Sequence, residues 1–273
     1  MTKKQPKEKE FYHRFLDEAG DTTFFGKGKI PIVGKVQGVS LCFIIGMVKF
    51  KEPLNIVRQK VIDLQKEIES DEYLKGIPSI EKKKMKKGFY FHATDDLPEV
   101  REKFYKFIKT LDLSFEAVAG RKIYDVFIKK HNSKEEEFYA DILSHLLKNK
   151  LEIEGKIIMN ISERGSSTKN QNLQFALDKS KNRFLNVNPT KVIKTDFVFN
   201  IQNPVIDPLL CISDYLCWAV QRVFERGETR YYDFIEEKIS LIIDIYDTSK
   251  YQGNKHYYKR KNKLTSENKL SPP

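Results

Sequence analysis

Phe11-Tyr12-His13-Arg14-Phe15-Leu16-Asp17-Glu18-Ala19-Gly20-Asp21 is the stretch from which the fold can be read. Residues 11–16 have the aromatic and alternating character of a β-strand, with Phe11, His13, Phe15 and then Asp17 on one face. The strand runs into carboxylates and then into Gly20, a residue that lets the backbone turn sharply past the edge of a sheet. Burying an unpaired carboxylate costs several kcal/mol or more, so acids in such surroundings need a cation, a proton or a hydrogen-bonded partner.

Outward from this strand, β-like and helical runs alternate. Residues 39–50 form a β-branched and aromatic second strand, joined to the first by a Gly-rich hairpin connection at residues 24–38. Residues 52–70 have helical spacing, a lysine-dense loop is expected at 81–87, and a short strand at 88–93. A helix at 99–111, a strand at 114–123, a helix at 133–151 capped by Ser133 and a strand at 156–161 follow. Beyond them come a helix at 168–182, a strand at 191–200, a helix from Asp207-Pro208 to Gly227 and a last helix at 232–246. Strands followed by helices predict an α/β fold, a mixed sheet covered by helices, with an antiparallel first edge. Residues 11–247 are expected to form a single domain between a flexible basic N-terminus (1–10) and a flexible basic tail (248–273).

Composition narrows the classes. Of the 273 residues, 40% are hydrophobic and 12% aromatic, enough for an ordinary core. The 49 Lys+Arg against 38 Asp+Glu leave +11, which favours anionic partners such as nucleic acid; a lysine-rich coding bias would leave the same number. No stretch reaches the length of a membrane span and the start does not read as a signal peptide, so a soluble cytoplasmic protein without membrane partners is expected. Cys42, Cys211 and Cys217 lack the spacing of a zinc or disulfide framework and read as core residues. Lys82 to Lys87 and the tail run His256-Tyr257-Tyr258-Lys259-Arg260-Lys261-Asn262-Lys263 are candidate guides for a phosphate backbone, the tail's tyrosines stacking on bases; a solvated tail is the alternative.

The second informative acid is Asp214, the single charge between Pro208 and Val220. Leu209, Ile212, Leu216, Ala219 and Val223 make one apolar stripe, and Cys211, Tyr215 and Trp218 widen it until little solvent face remains. Asp214 is therefore expected at a protein-lined cavity, the alternative being a salt bridge to a neighbouring Arg or Lys. Glu163, after the strand at 156–161, is the best third acid, with Arg164 and Gly165 completing a turn and Asn160 able to add a carbonyl oxygen; an exposed turn charge is its alternative. His92 is a candidate proton shuttle or phosphate ligand, or else a packed side chain beside Phe89-Tyr90-Phe91. Glu18 points to the strand face opposite Asp17, so one of the two is expected at a given site, and Asp21 reads as a turn residue or a second ligand. His13 and the helical set Glu137, Asp141 and His145 are further candidates, the set reading as a solvated surface beside Lys148 and Lys150. Carboxylates holding Mg²⁺ or Mn²⁺ can bind a phosphodiester and activate water, and these ions suit all-oxygen ligands better than zinc does. No phosphate-binding glycine loop, dinucleotide fingerprint, nucleophile elbow or His-Glu-x-x-His motif is present.

Four short motifs, in order, resemble a bacterial family known as domain of unknown function 3800. Asp17-Glu18-Ala19-Gly20 is similar to its Asp-Glu-Ser-Gly signature, Phe91-His92-Ala93 to its histidine motif, Ser162-Glu163-Arg164 to its acid-containing strand end, and Ser213-Asp214-Tyr215 to its late Ala-Asp motif. That family is regarded as similar to the ribonuclease H-like superfamily, with acids on the first strand, the fourth strand and a late helix around two metal ions. The resemblance implies a ribonuclease H-like mixed central sheet flanked by helices. It further implies Asp17, Glu163 and Asp214 as ligands of Mg²⁺ or Mn²⁺, Glu18 and His92 as further site residues, and a metal-dependent nuclease acting on DNA or RNA. Asn160 stands near where the family often has an aspartate, and Ala19 replaces its serine. Competing expectations are a non-catalytic module on the same fold that binds nucleic acid or protein, and a toxin or defence component triggered by a regulatory partner.

Overall fold

The computed structural model describes residues 10–163 and 170–272. The expected flexible segment at 1–9, the turn at Arg164 and Gly165, and the start of the helix at 168 lie outside the described residues. Seven strands form one sheet in the order β5-β4-β1-β2-β3-β6-β7. They are β1 (Phe11–Ala19), β2 (Cys42–Phe50), β3 (Leu113–Arg121), β4 (Gly155–Ser162), β5 (Thr195–Gln202), β6 (Ile239–Ile245) and β7 (Tyr257–Tyr258). β1 runs parallel to β4 and antiparallel to β2, so the expected antiparallel pair lies at the centre of the sheet rather than at its edge. The central strands are buried on both sides, and hydrophobic cover is therefore needed on both.

Helices supply that cover. Phe15, Ile44, Val48, Phe115 and Ile242 pack towards α1 (Leu54–Ser70), α3 (Pro98–Thr110) and α7 (Leu210–Arg226). Leu16, Ile45, Val118, Ile157 and Met159 pack towards α4 (Tyr124–His131), α5 (Glu135–Leu147) and α6 (Asn170–Val187). The period-two alternation of β1 thus sends Phe15 and Asp17 to the α7 side and Leu16 to the α5 side.

Several local expectations change. Residues 81–87 belong to a helix, α2 (Pro78–Lys87), because Pro78 suits the first helical turn, lysine is a good helix former and Ile80 anchors the turn in the core. Residues 88–93 make no strand; the chain turns at His92, whose carbonyl accepts the N–H groups of Asp95 and Asp96. The predicted helix at 232–246 is a short α8 (Arg230–Phe234) followed by β6, whose Ile239, Ile242, Ile243 and Ile245 favour a strand buried on both faces. Residues 248–272, expected to be a loose tail, add β7 to the sheet, bury Leu264 and tie the Leu270 N–H to the Phe224 carbonyl. Tyr258 is buried there, which removes it as a base-stacking residue. No helix among the described residues is long and apolar enough to cross a membrane.

Candidate active site

The β1–β4 ladder stops at Leu16 and Ile161, whereas the β1–β2 ladder continues to Ala19 and Ile44. The sheet therefore opens beside Asp17 and Glu18, and both residues line the resulting cleft despite their opposite pleat directions, with the Glu18 carboxylate oxygens themselves buried. The two residues are recessed, 9% and 6% exposed, and the Glu18 N–H donates to Asp17 Oδ1 at 2.8 Å. Gly20 has φ +89°, and a Cβ there would lie 2.4 Å from the Cys42 carbonyl, so the turn requires glycine. Asp21 is a turn residue. Its carboxylate accepts the N–H groups of Thr23 and Ser40 and the Lys122 ammonium at 2.8 Å. Burial pushes its pKa up, but Lys122 and Ser40 outweigh this and hold it below the usual value.

Helix α7 supplies the floor. Cys211, Asp214, Trp218, Gln221, Arg222 and Glu225 recur at helical spacing along the cleft. Ser213 Oγ donates to the Phe15 carbonyl and Cys217 Sγ lies 3.2 Å from that of Asp17, which pins the helix across β1. The approach is close because Gly46 of β2 has no side chain; a Cβ there would meet the Phe115 ring at 2.4 Å and Cys217 Sγ at 2.5 Å. Among the described residues, no Lys or Arg forms an ion pair with Asp214, which removes the salt-bridge alternative. Its Oδ2 accepts the Ala93 N–H at 2.7 Å. Burial raises its pKa, against the opposing pull of His92 and of that N–H.

The His92 turn is held by Asp96, a residue that sequence reasoning missed. Asp96 Oδ2 accepts the His92 N–H at 2.8 Å and the Tyr215 hydroxyl at 2.5 Å, while Oδ1 accepts Lys83 Nζ at 2.7 Å. The signal was a carboxylate four residues beyond a candidate histidine, in a run of turn-forming residues. The His92 side chain is 39% exposed and lines the cleft, so it is not a packed core ring. Its Nδ1 lies 3.4 Å from Asp95.

Glu163 follows β4 directly, is exposed, and lines the same cleft with Ser162. Asn160 does not line it. Its Oδ1 accepts from Asn200 and its Nδ2 donates to the Arg14 carbonyl and faces His13, so the expected carbonyl oxygen is already engaged within the sheet. Asp141 and His145 lie on α5, on the opposite side of the sheet, and Glu137 on that helix accepts from Asn132. The expected solvated face is instead a buried network in which Arg183, Lys130, His131 and Tyr246 surround Asp141. Burial holds His145 down to about 3.

The cleft encloses about 710 Å³ and gathers Asp17, Glu18, His92, Glu163 and Asp214. Among the described residues, no three His, Cys, Asp or Glu side chains stand close enough to hold a metal ion. Asp17, Glu163 and Asp214 thus do not form a closed cage. Carboxylates are the donors that a hard cation such as Mg²⁺ takes, and such an ion can bind through one or two of them together with waters and substrate phosphates. No family model matches the chain, and no curated protein matches it either. The family resemblance therefore rests on its four motifs, and in the fold each of them contributes lining residues to this one cleft.

Proposed function

We propose that the chain is a ribonuclease H-like, divalent-metal-dependent nuclease that hydrolyses phosphodiester bonds of DNA or RNA. The observation that carries this reading is the meeting of Asp17, Glu18, His92, Glu163 and Asp214 in one cleft, with Asp214 half-buried and, among the described residues, paired with no Lys or Arg, on a chain of net charge +11. The acids come from β1, the end of β4 and α7, the arrangement that the resemblance implies. Mg²⁺ or Mn²⁺ bound here would lower the pKa of an attacking water and offset charge on the phosphate. Asp17 and Asp214 would hold the cation from the two sides of the β1–α7 contact, with Glu163 at the exposed rim. His92, fixed through its backbone by Asp96, would pass a proton at the mouth of the cleft near neutral pH.

The test is cleavage of single- and double-stranded DNA and RNA by the purified chain with Mg²⁺, Mn²⁺ or EDTA. Asp17→Asn and Asp214→Asn are expected to reduce turnover at least about a hundredfold, the scale of losing an electrostatic stabiliser. Undiminished cleavage by both variants removes the site. The lack of a three-donor group favours a second reading, a binding module without catalysis on the same fold. Calorimetry decides for it if no divalent ion binds while nucleic acid still does.

A further inference from the structure

Beside the acidic cleft lies a second cavity of about 540 Å³, and the two share Tyr90 and Asn203 in their walls. Ser79, Lys82 and Lys83 line it from α2, and Asp95 from the His92 turn. Lys83 is committed to Asp96 at 2.7 Å and also stands 4.9 Å from the centroid of the Tyr90 ring. Lys82 is exposed and, among the described residues, has no carboxylate within ion-pair distance. Asp95 lies 3.4 Å from His92 Nδ1 and is the one acid of this lining. Residues with hydroxyl, amide and ammonium groups thus line one cavity, while the adjoining cleft carries its acids together with Arg222 and Arg226, cations that can offset a phosphate's charge.

The two cavities together give a direction. Lining residues run along α7 from Cys211 to Arg226, about 20 Å at 1.5 Å per residue. Asp214 lies near the Tyr90 end, and Arg226, exposed, at the far end. Asp17 and Glu18 are recessed, and a flexible unpaired strand bends into such a recess more readily than a stiff duplex does. Tyr90 is half-buried and lines both cavities, where its aromatic side chain can meet an unstacked base.

We infer that the cavity of Ser79, Lys82, Tyr90 and Asn203 is a phosphate subsite for a single-stranded nucleic acid that continues through the acidic cleft towards Arg226. This inference rests on the nuclease reading for the fate of the strand, but the binding itself needs no catalysis. The experiment is fluorescence anisotropy of a labelled single-stranded oligothymidylate of about twelve nucleotides, within the site size of single-strand binders, at low salt in EDTA. Lys82→Glu and Tyr90→Ala are each expected to weaken binding about tenfold, as loss of a phosphate contact or a stacked base does. Lys129→Glu, on exposed α4, should change it less than about twofold. Matching thermal midpoints establish that the variants fold. Equal loss in Lys82→Glu and Lys129→Glu, or a duplex bound as tightly as the single strand, overturns the subsite. Asp214-dependent cleavage with unaltered Lys82→Glu binding would leave the nuclease standing and the subsite refuted. The expected binding pattern without cleavage would leave the subsite standing and the nuclease refuted.

Discussion

At Asp214, burial and charge pull against each other. Burial raises its pKa in the folded chain, so the protonated form is the better tolerated one and the stability it contributes is lost as pH rises through the folded value. Asp214→Asn keeps an acceptor for the Ala93 N–H and removes the charge. It should therefore raise the thermal midpoint at pH 7 by about 2–4 °C, the shift of 1 kcal/mol in a chain of this size, and the gain should vanish below the ordinary carboxylate range. An unchanged or lower midpoint at pH 7 would mean that Asp214 is satisfied without a cation. Asp96 is the opposite case: its carboxylate joins Lys83, Tyr215 and the His92 backbone, all at low exposure. Asp96→Ala should cost about 3–5 kcal/mol in urea unfolding, because a buried charge and a hydroxyl lose their acceptor. Asp17, Asp214 and His92, which line one cleft, were legible as candidates because acids and a histidine interrupt apolar runs. Asp96 was not, since one acid among several in a turn carries no periodic signal until the fold brings Lys83 and Tyr215 to it.

Among elements, the contact of α7 with β1 and β2 sets the cleft. Gly46→Ala would drive a methyl group into Phe115 and Cys217, and overpacking of this kind costs about 1–3 kcal/mol. On the proposed nuclease reading the same variant should lower cleavage, because Asp214 rides on the displaced helix while Asp17 stays on the strand; wild-type stability in Gly46→Ala would deny the close approach. On the other side of the sheet, α5 and α6 are joined through Asp141. Burial raises the pKa of Asp141, but His131, Arg183, Tyr246 and Lys130 together hold it far below the usual carboxylate range. Its contribution is full above that range and is lost as pH falls through it. His145, held at about 3 by burial, adds a loss that begins near its ordinary value of 6.5 as the unfolded chain takes up a proton. Stability should accordingly fall from pH 6.5 downwards, and His145→Gln should flatten the part of that slope above pH 4. A wild-type profile flat from pH 7 to pH 5 would contradict the burial of His145. The α5 face was misread because a helix whose charges are buried shows the same spacing as one whose charges meet water.

Across the whole molecule, net charge +11 coexists with an acid-lined cleft, so the excess cations lie elsewhere. Binding of a single-stranded oligonucleotide in EDTA should weaken steeply with salt, log K falling by about 0.7 per phosphate contact against log salt. A flat salt dependence would assign the basicity to solubility alone. The sequence by itself determined the α/β class, the two acid clusters and the helix bearing Asp214, because hydrophobic periodicity and misplaced charge are local properties that neighbouring residues express. Only the tertiary structure decided that residues 239–245 are a strand and that residues 248–272 pack, since pairing partners distant in the chain satisfy those backbones. It alone decided that the β1–β2 pair is central and that Asp17, His92, Glu163 and Asp214 face one cleft, because convergence depends on where the β1–β4 ladder stops and how closely α7 approaches Gly46, and neither leaves a mark on any single segment.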